Sequence, residues 1–393
     1  MSLRFPQLLT QVEGLGESAA RRAAEAARKL PVALRSIDEA QRIGRDELTN
    51  RIRRAGERWR GAHPTDEPVN MVFSLPPHPA RLNVIGADGS QIHPDRHAPA
   101  LYFLINIGSI LIEQGTGSAP LTASEAAVFY EDADLYGDSG DLASPAWING
   151  KRDVAEMETL ARLAESCTGA PTLALLDNGL LLWLALQAGD QHRKAVDRLL
   201  AEYLRHLTRL RASGAAVAGL VDRPRSADVL ALLALVLAPE PDPESSPAIN
   251  PYRGLTDRAV FAERLEPGQR SARFVDSSPV NRDFETVGHQ IQFFYLNTGG
   301  AHNIARVEIP GWVAEDPKRL EWVHAGIIEQ SKTTGGFPYP LVRAHELAVV
   351  TAADRRAFEA MIEQALIRRG LRPRISQKAQ TKRWTGARRR HRV

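Results

Sequence analysis

The hydrophobic period changes near residue 150, and this limits the folds open to the chain. Before that point the apolar residues come in short strand-like runs, Leu82–Ala87, Ala100–Ile107 and Ser109–Gln114, joined by polar or glycine-containing turns. That spacing predicts an antiparallel meander. After it the period is helical. In Lys151–Ser166, Val154, Met157, Leu160, Ala161 and Ala164 fall on one side of a helix. A short apolar strand, PTLALLDNG, comes next, then a long amphipathic helix ending at Gly214, a strand in AAVAGLVDRPRS and an apolar helix in ADVLALLALVLA.

A meander followed by alternating helices and strands is the order of a ribonuclease-H-like core. The expected fold class is therefore α/β, a mixed sheet with flanking helices. Residues 1–62 read as an Arg- and Ala-rich helical region. Prolines at 64, 68, 76, 77 and 79 mark a loop, and a core domain is expected over 80–365. Pro239–Pro251 reads as a linker or surface loop. Later, HQIQFFYLNTG and NIARVEIPGW form a hairpin-like pair, and helices are expected around Asp316–Glu329 and Tyr339–Glu363.

The net charge of +3 hides an asymmetry. Residues 368–393 hold eleven Lys or Arg and no acid, which leaves 39 basic against 47 acidic side chains elsewhere, a net of −8. The tail, taken as 366–393, cannot bury a core and suits phosphate neutralisation, with Trp384 able to stack on a base. A solubilising or docking tail is the alternative. The single cysteine, Cys167, excludes an internal disulfide and a cysteine zinc site, and fits a reducing cytoplasm. The N-terminus has no signal-peptide pattern, and no apolar run is long enough to predict a membrane span.

Acids stand at the ends of predicted strands. Asp88 closes the first strand of the meander and Asp177 closes the first strand after the helix. The intervening helix offers Glu156, about 80° from the centre of the apolar face, and Glu158, about 120° away, so Glu156 is the one expected to lean inward. Clustered carboxylates need a cation, and hard ions such as Mg²⁺ or Mn²⁺ prefer oxygen ligands. Two such ions roughly 4 Å apart stabilise both oxygens of a phosphodiester hydrolysis. Each acid also has an ordinary reading. Asp88 can start an Asp-Gly turn, Asp177 can cap a helix, and Glu156 can pair with Arg152 at i,i+4. His93, Asp95 and His97 read as turn residues because of Pro94.

With GADGS (86–90), ALLDNG (174–179), IARVEIPGW (304–312), GGFPYPLVRAHELAVV (335–350) and SQKAQTKR (376–383), the chain resembles the NurA nucleases over roughly residues 80–383. The resemblance implies a ribonuclease-H-like, usually homodimeric DNA nuclease. It implies use of Mn²⁺ or Mg²⁺, 5′-to-3′ exonuclease and single-strand endonuclease activity, and partnership with a HerA-type hexameric ATPase in DNA end resection. It implies catalytic and metal-binding roles for Asp88, Glu156, Asp177 and His345. Two departures stand out. Asn178-Gly179 follows the second aspartate where the family has Gly-Ser, and Phe337 stands where the family has an aromatic hydroxyl, with Tyr339 nearby. Arg223, Arg225, Arg270, Lys378, Lys382 and Arg383 are the candidate DNA-phosphate contacts, and Arg264 and Arg273 flank the same Pro-Gly turn as Arg270. The alternatives are a DNA-gripping adaptor that only docks the motor, or another ribonuclease-H-like enzyme such as a resolvase or hybrid nuclease.

Overall fold

The computed structural model describes residues 5–136, 140–184, 193–237, 250–300 and 303–371. In chain order its elements begin with helices α1 (Phe5–Ile43) and α2 (Arg45–Arg54) and strands β1 (Ala62–Pro64), β2 (Val72–Phe73), β3 (Leu82–Ile92), β4 (Phe103–Gln114) and β5 (Leu121–Phe129). Next come α3 (Asp132–Leu135), α4 (Pro145–Ser166), β6 (Thr172–Asp177), α5 (Arg193–Ala212), β7 (Ala216–Val221), α6 (Asp228–Leu237) and α7 (Asp257–Ala262). The remainder is β8 (Arg270–Ser271), β9 (Phe274–Asp276), α8 (Pro279–Thr286), β10 (Ile291–Asn297), β11 (Ile304–Pro310), α9 (Gly311–Ala314), α10 (Pro317–Ser331), α11 (Tyr339–Ala348) and α12 (Ala352–Arg368). The chain divides into two units. One comprises residues 1–79, 177–181 and 216–339, the other 80–176, 182–215 and 340–393.

In the second unit β3, β4 and β5 form the expected antiparallel meander, and β6 pairs parallel to β3. The strand bounds differ from expectation. β3 does not stop at Ala87. It runs to Ile92 with Asp88 in register opposite Gly108, so Asp88 lies within a strand and is not a turn residue. What does stop there is burial. Residues Leu82–Ala87 are buried and Asp88–Gln91 only half-buried, and the parallel register with β6 ends at Ala87–Leu176. The two runs 100–107 and 109–114 are one strand, β4. The third strand, β5, has mostly exposed residues and therefore carries no apolar run. The single helix expected over 339–363 is two, because Thr351 and Asp354 form a capping box that starts α12.

Helix α11 lies directly against this meander, and glycine is the reason. A Cβ on Gly86 would stand 2.8 Å from the Pro340 carbonyl oxygen, and one on Gly108 would collide with the Ala344 carbonyl and the Ala348 amide. The far end of α11 is tied down by side chains of the same strands. The Ser90 hydroxyl donates to the Ala348 carbonyl, and the Asn106 amide donates to Ala348 and Leu347 at 2.9 and 3.2 Å. These bonds satisfy carbonyls that a helix C-terminus leaves without intrahelical partners. On the other side, α4 packs on β3 and β4, and Phe103, Ile105, Ile107 and Ile148 form the apolar contact.

In the first unit β10 and β11 form the expected hairpin, β11 continues to β7, and β9 and β8 pair with β10. The second half of α1 belongs to this unit's core. Ala33, Ile37 and Ala40 cluster with Phe274, Phe293 and Tyr295. At its centre Arg306, 4% exposed, donates to Asp228, Asp276 at 2.6 Å and Glu308 at 2.9 Å, and stacks on Phe293 at 3.6 Å. Arg270 is equally occupied. It is buried, bonded through both terminal nitrogens to Glu67 at 2.9 Å, and stacked on Phe73. Close by, His324 is buried, its Nε2 lying 2.7 Å from the Gly268 carbonyl. Burial outweighs that hydrogen bond and, with Arg270 nearby, pushes the imidazole down to about 4. Among the described residues no helix is long and apolar enough to cross a membrane.

Two outcomes are expected. Replacing Gly108 with Ala overpacks the α11 contact and lowers stability by about 1–3 kcal/mol; an unchanged urea midpoint would show that α11 does not press on β4. His324 has a folded pKa below its unfolded value, so its contribution is complete above about 6.5 and is lost as pH falls toward 4. From pH 7 to pH 5 this group removes about 2 kcal/mol from the wild type. His324→Gln is expected to lose that much less over the same interval, as read from paired denaturation curves. Parallel curves would refute the assignment.

Candidate active site

The side chains of β3 alternate between two neighbours. Gly86, Asp88 and Ser90 meet α11, whereas Gly89 and Gln91 meet α4. Toward α11, the Asp88 carboxylate has one oxygen 2.9 Å from the Gly89 amide and the other 2.7 Å from Nδ1 of His345. His345 is in the last turn of α11, and its side chain is 65% exposed against 14% for Asp88. An Nδ1–H donated to the carboxylate fixes the ring and leaves Nε2 for a further partner.

Toward α4, Glu156 is 3% exposed, while Glu158 two residues on faces solvent. The helical phase places them so. A Cβ on Gly89 would lie 2.7 Å from Oε1 of Glu156 and 2.6 Å from Cγ of Arg152, so glycine is what lets the helix acid reach the strand beside Asp88. Arg152 also answers to the ordinary reading. Its Nε is 3.1 Å from Glu156 Oε1, and its terminal nitrogens reach Asp153 at 2.8 Å and Gln91 at 3.4 Å. Burial opposes the Arg152 charge, but Glu156, Asp153 and more weakly Asp88 outweigh it and hold the guanidinium above its ordinary value. Burial likewise raises the Asp153 carboxyl, with Arg152 offsetting part of the effect.

Asp177 ends β6, one residue beyond Leu176, the last residue in register with β3. The Asn178-Gly179 turn that follows has its own support. Asn178 has φ 113°, a conformation asparagine tolerates better than most residues, and its amide donates to the Leu220 carbonyl at 3.0 Å. Glu308 accepts the Leu180 amide at 2.8 Å, and a Cβ on Gly179 would press on the same carboxylate. Arg306 in turn holds Glu308. Sequence reasoning missed Arg306 and Glu308 as supports of this turn. The only signal was a charged pair inside the apolar strand IARVEIP.

The structure thus places Asp88, Glu156 and His345 around one short stretch of β3, and Asp177 at the end of its parallel neighbour. The donor types suit a hard divalent ion, since carboxylate oxygens and one imidazole are acceptable ligands and the buried Glu156 already requires a cation. Among the described residues no three His, Cys, Asp or Glu side chains stand at metal-ligand spacing; beside Glu156 the positive charge is that of Arg152. The cationic candidates separate. Arg223 and Arg225 are exposed after β7, Arg223 with φ 47°. Arg270 is buried with both terminal nitrogens on Glu67, and Arg273 is held in the same way by Glu67, Asp66 and Gln292, so both are engaged inside the fold. Arg264 pairs with Asp38 and the Asn70 carbonyl. Lys378, Lys382, Arg383 and Trp384, like residues 239–249 of the proline-rich segment, lie outside the described residues. His93, Asp95 and His97 form a loop in which Asp95 accepts the His97 amide. Tyr339 opens α11 and is exposed, and Phe337 is half-buried.

Residues 82–350 match the NurA domain. No curated protein matches the chain. Among solved structures, the NurA nuclease from Sulfolobus solfataricus aligns with a TM-score of 0.51 at 14% identity, covering 91% of this chain and 97% of that one. A NurA structure with manganese aligns at 0.42 and 13% identity, covering 84% and 98%. The catalytic domain of human endonuclease V aligns at 0.31 and 13% identity, covering 71% and 83%. The domain match takes in more than half of the sequence, and the chain belongs to the NurA family.

Proposed function

We propose that this chain is a metal-dependent DNA nuclease that hydrolyses phosphodiester bonds with Asp88, Glu156, Asp177 and His345. The observation that carries the reading is the Asp88–His345 pair. Two groups 257 positions apart in sequence meet at 2.7 Å because glycines at 86 and 108 admit α11. The imidazole is 65% exposed, so its second nitrogen is open to a substrate. Mn²⁺ or Mg²⁺, two ions in the full reading, would supply an activated water and neutralise charge building on the phosphate. Asp88, Glu156 and Asp177 would be its ligands, with His345 as a further ligand when neutral. Asp88 orients His345 through Nδ1. Protonated, the ring's Nε2 is free to hydrogen-bond a phosphate oxygen or to give a proton to the departing oxygen. Gly89 keeps the backbone clear for Glu156.

DNA is the substrate in this reading. The exposed Arg223 and Arg225 and the basic residues of the tail, Lys378, Lys382 and Arg383, supply phosphate contacts. 5′-to-3′ exonuclease and single-strand endonuclease activity, a homodimer and a HerA-type hexameric ATPase partner in end resection complete the proposal, which rests for these on family membership.

Asp88→Asn and Asp177→Asn are each expected to reduce Mn²⁺-dependent DNA cleavage by roughly three orders of magnitude while leaving the circular dichroism spectrum and melting temperature near wild type. His345→Ala is expected to cost roughly a hundredfold or more. Undiminished cleavage by a folded Asp88→Asn protein would remove the site and leave the DNA-gripping adaptor as the better reading. Removing residues 368–393 is expected to weaken DNA binding and flatten the slope of log affinity against log salt. An unchanged slope would mean that the tail does not touch phosphate.

A further inference from the structure

We propose that Arg152 is the site's resident counter-ion and competes with the divalent cation for Glu156. The inference rests on the nuclease reading above and adds a residue that the reading does not use. Glu156 is almost fully buried, and a buried carboxylate without a compensating charge is strongly unfavourable. Arg152 supplies that charge from one helical turn away, at 3.1 Å. Its position is built, not incidental. Cγ fits the space left by the missing side chain of Gly89, while Gln91 and Asp153 take the two terminal nitrogens. Asp88 lies within electrostatic range of the same guanidinium.

A divalent ion on either oxygen of Glu156 would stand close to the guanidinium and be repelled by it. An ion that takes Oε1 has to break the Arg152–Glu156 pair as well, and either cost weakens the observed metal affinity. The pair also keeps Glu156 charged and in place without metal. The side chain of Arg152 is 21% exposed, so an outward path exists. Its two remaining partners, Gln91 and Asp153, lie off the carboxylate and can hold it once Glu156 is released.

The test is Mn²⁺ binding to full-length protein, read by calorimetry and by the free-ion paramagnetic resonance signal. Arg152→Met and Arg152→Gln keep much of the stem and remove the charge. They are expected to bind Mn²⁺ roughly tenfold more tightly than wild type. In chelator they are expected to melt at lower temperature, and added Mn²⁺ restores more of their stability than it does for wild type. Arg152→Lys keeps the charge and is expected to stay within about threefold of wild type. Equal or weaker Mn²⁺ binding by the neutral variants overturns the proposal. If neither folds, a wild-type crystal structure with Mn²⁺ decides. Separation of Arg152 from Glu156 supports competition, and an intact pair beside bound Mn²⁺ refutes it. Asp88→Asn and Glu156→Gln separate the two readings. If they bind Mn²⁺ as wild type does, the active-site assignment itself fails. If they lose binding while Arg152→Met gains none, only the counter-ion proposal fails.

Discussion

Backbone-to-backbone approach of one helix to two strands is the constraint on which the proposed site depends. Helix α11 can lie against β3 and β4 only where no Cβ intervenes, and Gly86 and Gly108 are the residues that a Cβ would turn into collisions. Glycine inside a strand weakens it, by roughly 0.5–1 kcal/mol relative to alanine. Here the loss is offset by hydrogen bonds from Ser90 and Asn106 to the helix end, each worth about 1 kcal/mol. The same contact sets the reach of His345 to Asp88. Strand weakness, helix anchoring and the Asp–His pair are thus one arrangement seen at three scales.

Charge is the second constraint, and the two units meet it differently. Arg306 is enclosed by Asp228, Asp276 and Glu308, and each of these carboxylates has a defined structural partner. Removing one partner from such a buried set typically costs about 3–5 kcal/mol. It works as a strut, and through Glu308 it supports the turn after Asp177. Arg152 is less enclosed: it hydrogen-bonds Gln91 and Asp153 and ion-pairs with Glu156, the one acid of its set proposed for catalysis. A strut that must never move and a counter-ion that must yield call for this difference in burial.

The meander, the helix and the strand bearing Asp177 were legible in the sequence because period and apolar content change together there. The inward lean of Glu156 followed from helical phase alone. Other features were hidden for physical reasons. β5 escaped because an exposed strand has no apolar alternation to betray it. The end of β3 was misplaced because Gly86 and Gly89 resemble turn residues, whereas the structure uses them to admit neighbours. The break between α11 and α12 was readable, since T-x-x-D is a capping signature. Arg270 misled because a Pro-Gly turn predicts exposure, and nothing local announces that Glu67, 203 positions earlier, will bury it.

Sequence distance also orders how the site comes together. Arg152 and Glu156 are one turn apart on α4, so their pairing needs only the helix. Asp88 and His345 meet across 257 positions and require the meander, the glycine gap and α11 all in place. Contacts of that separation close late because the entropy of the intervening chain must be overcome first. The most buried of these acids thus has its counter-ion on its own helix, independent of the long-range contact that joins the strand acid to the histidine. A chain that brought uncompensated carboxylates together during folding would meet their repulsion at the least stable stage. An arginine carried on the same helix face as Glu156 removes that obstacle, and it is also the group that a metal ion would later have to displace.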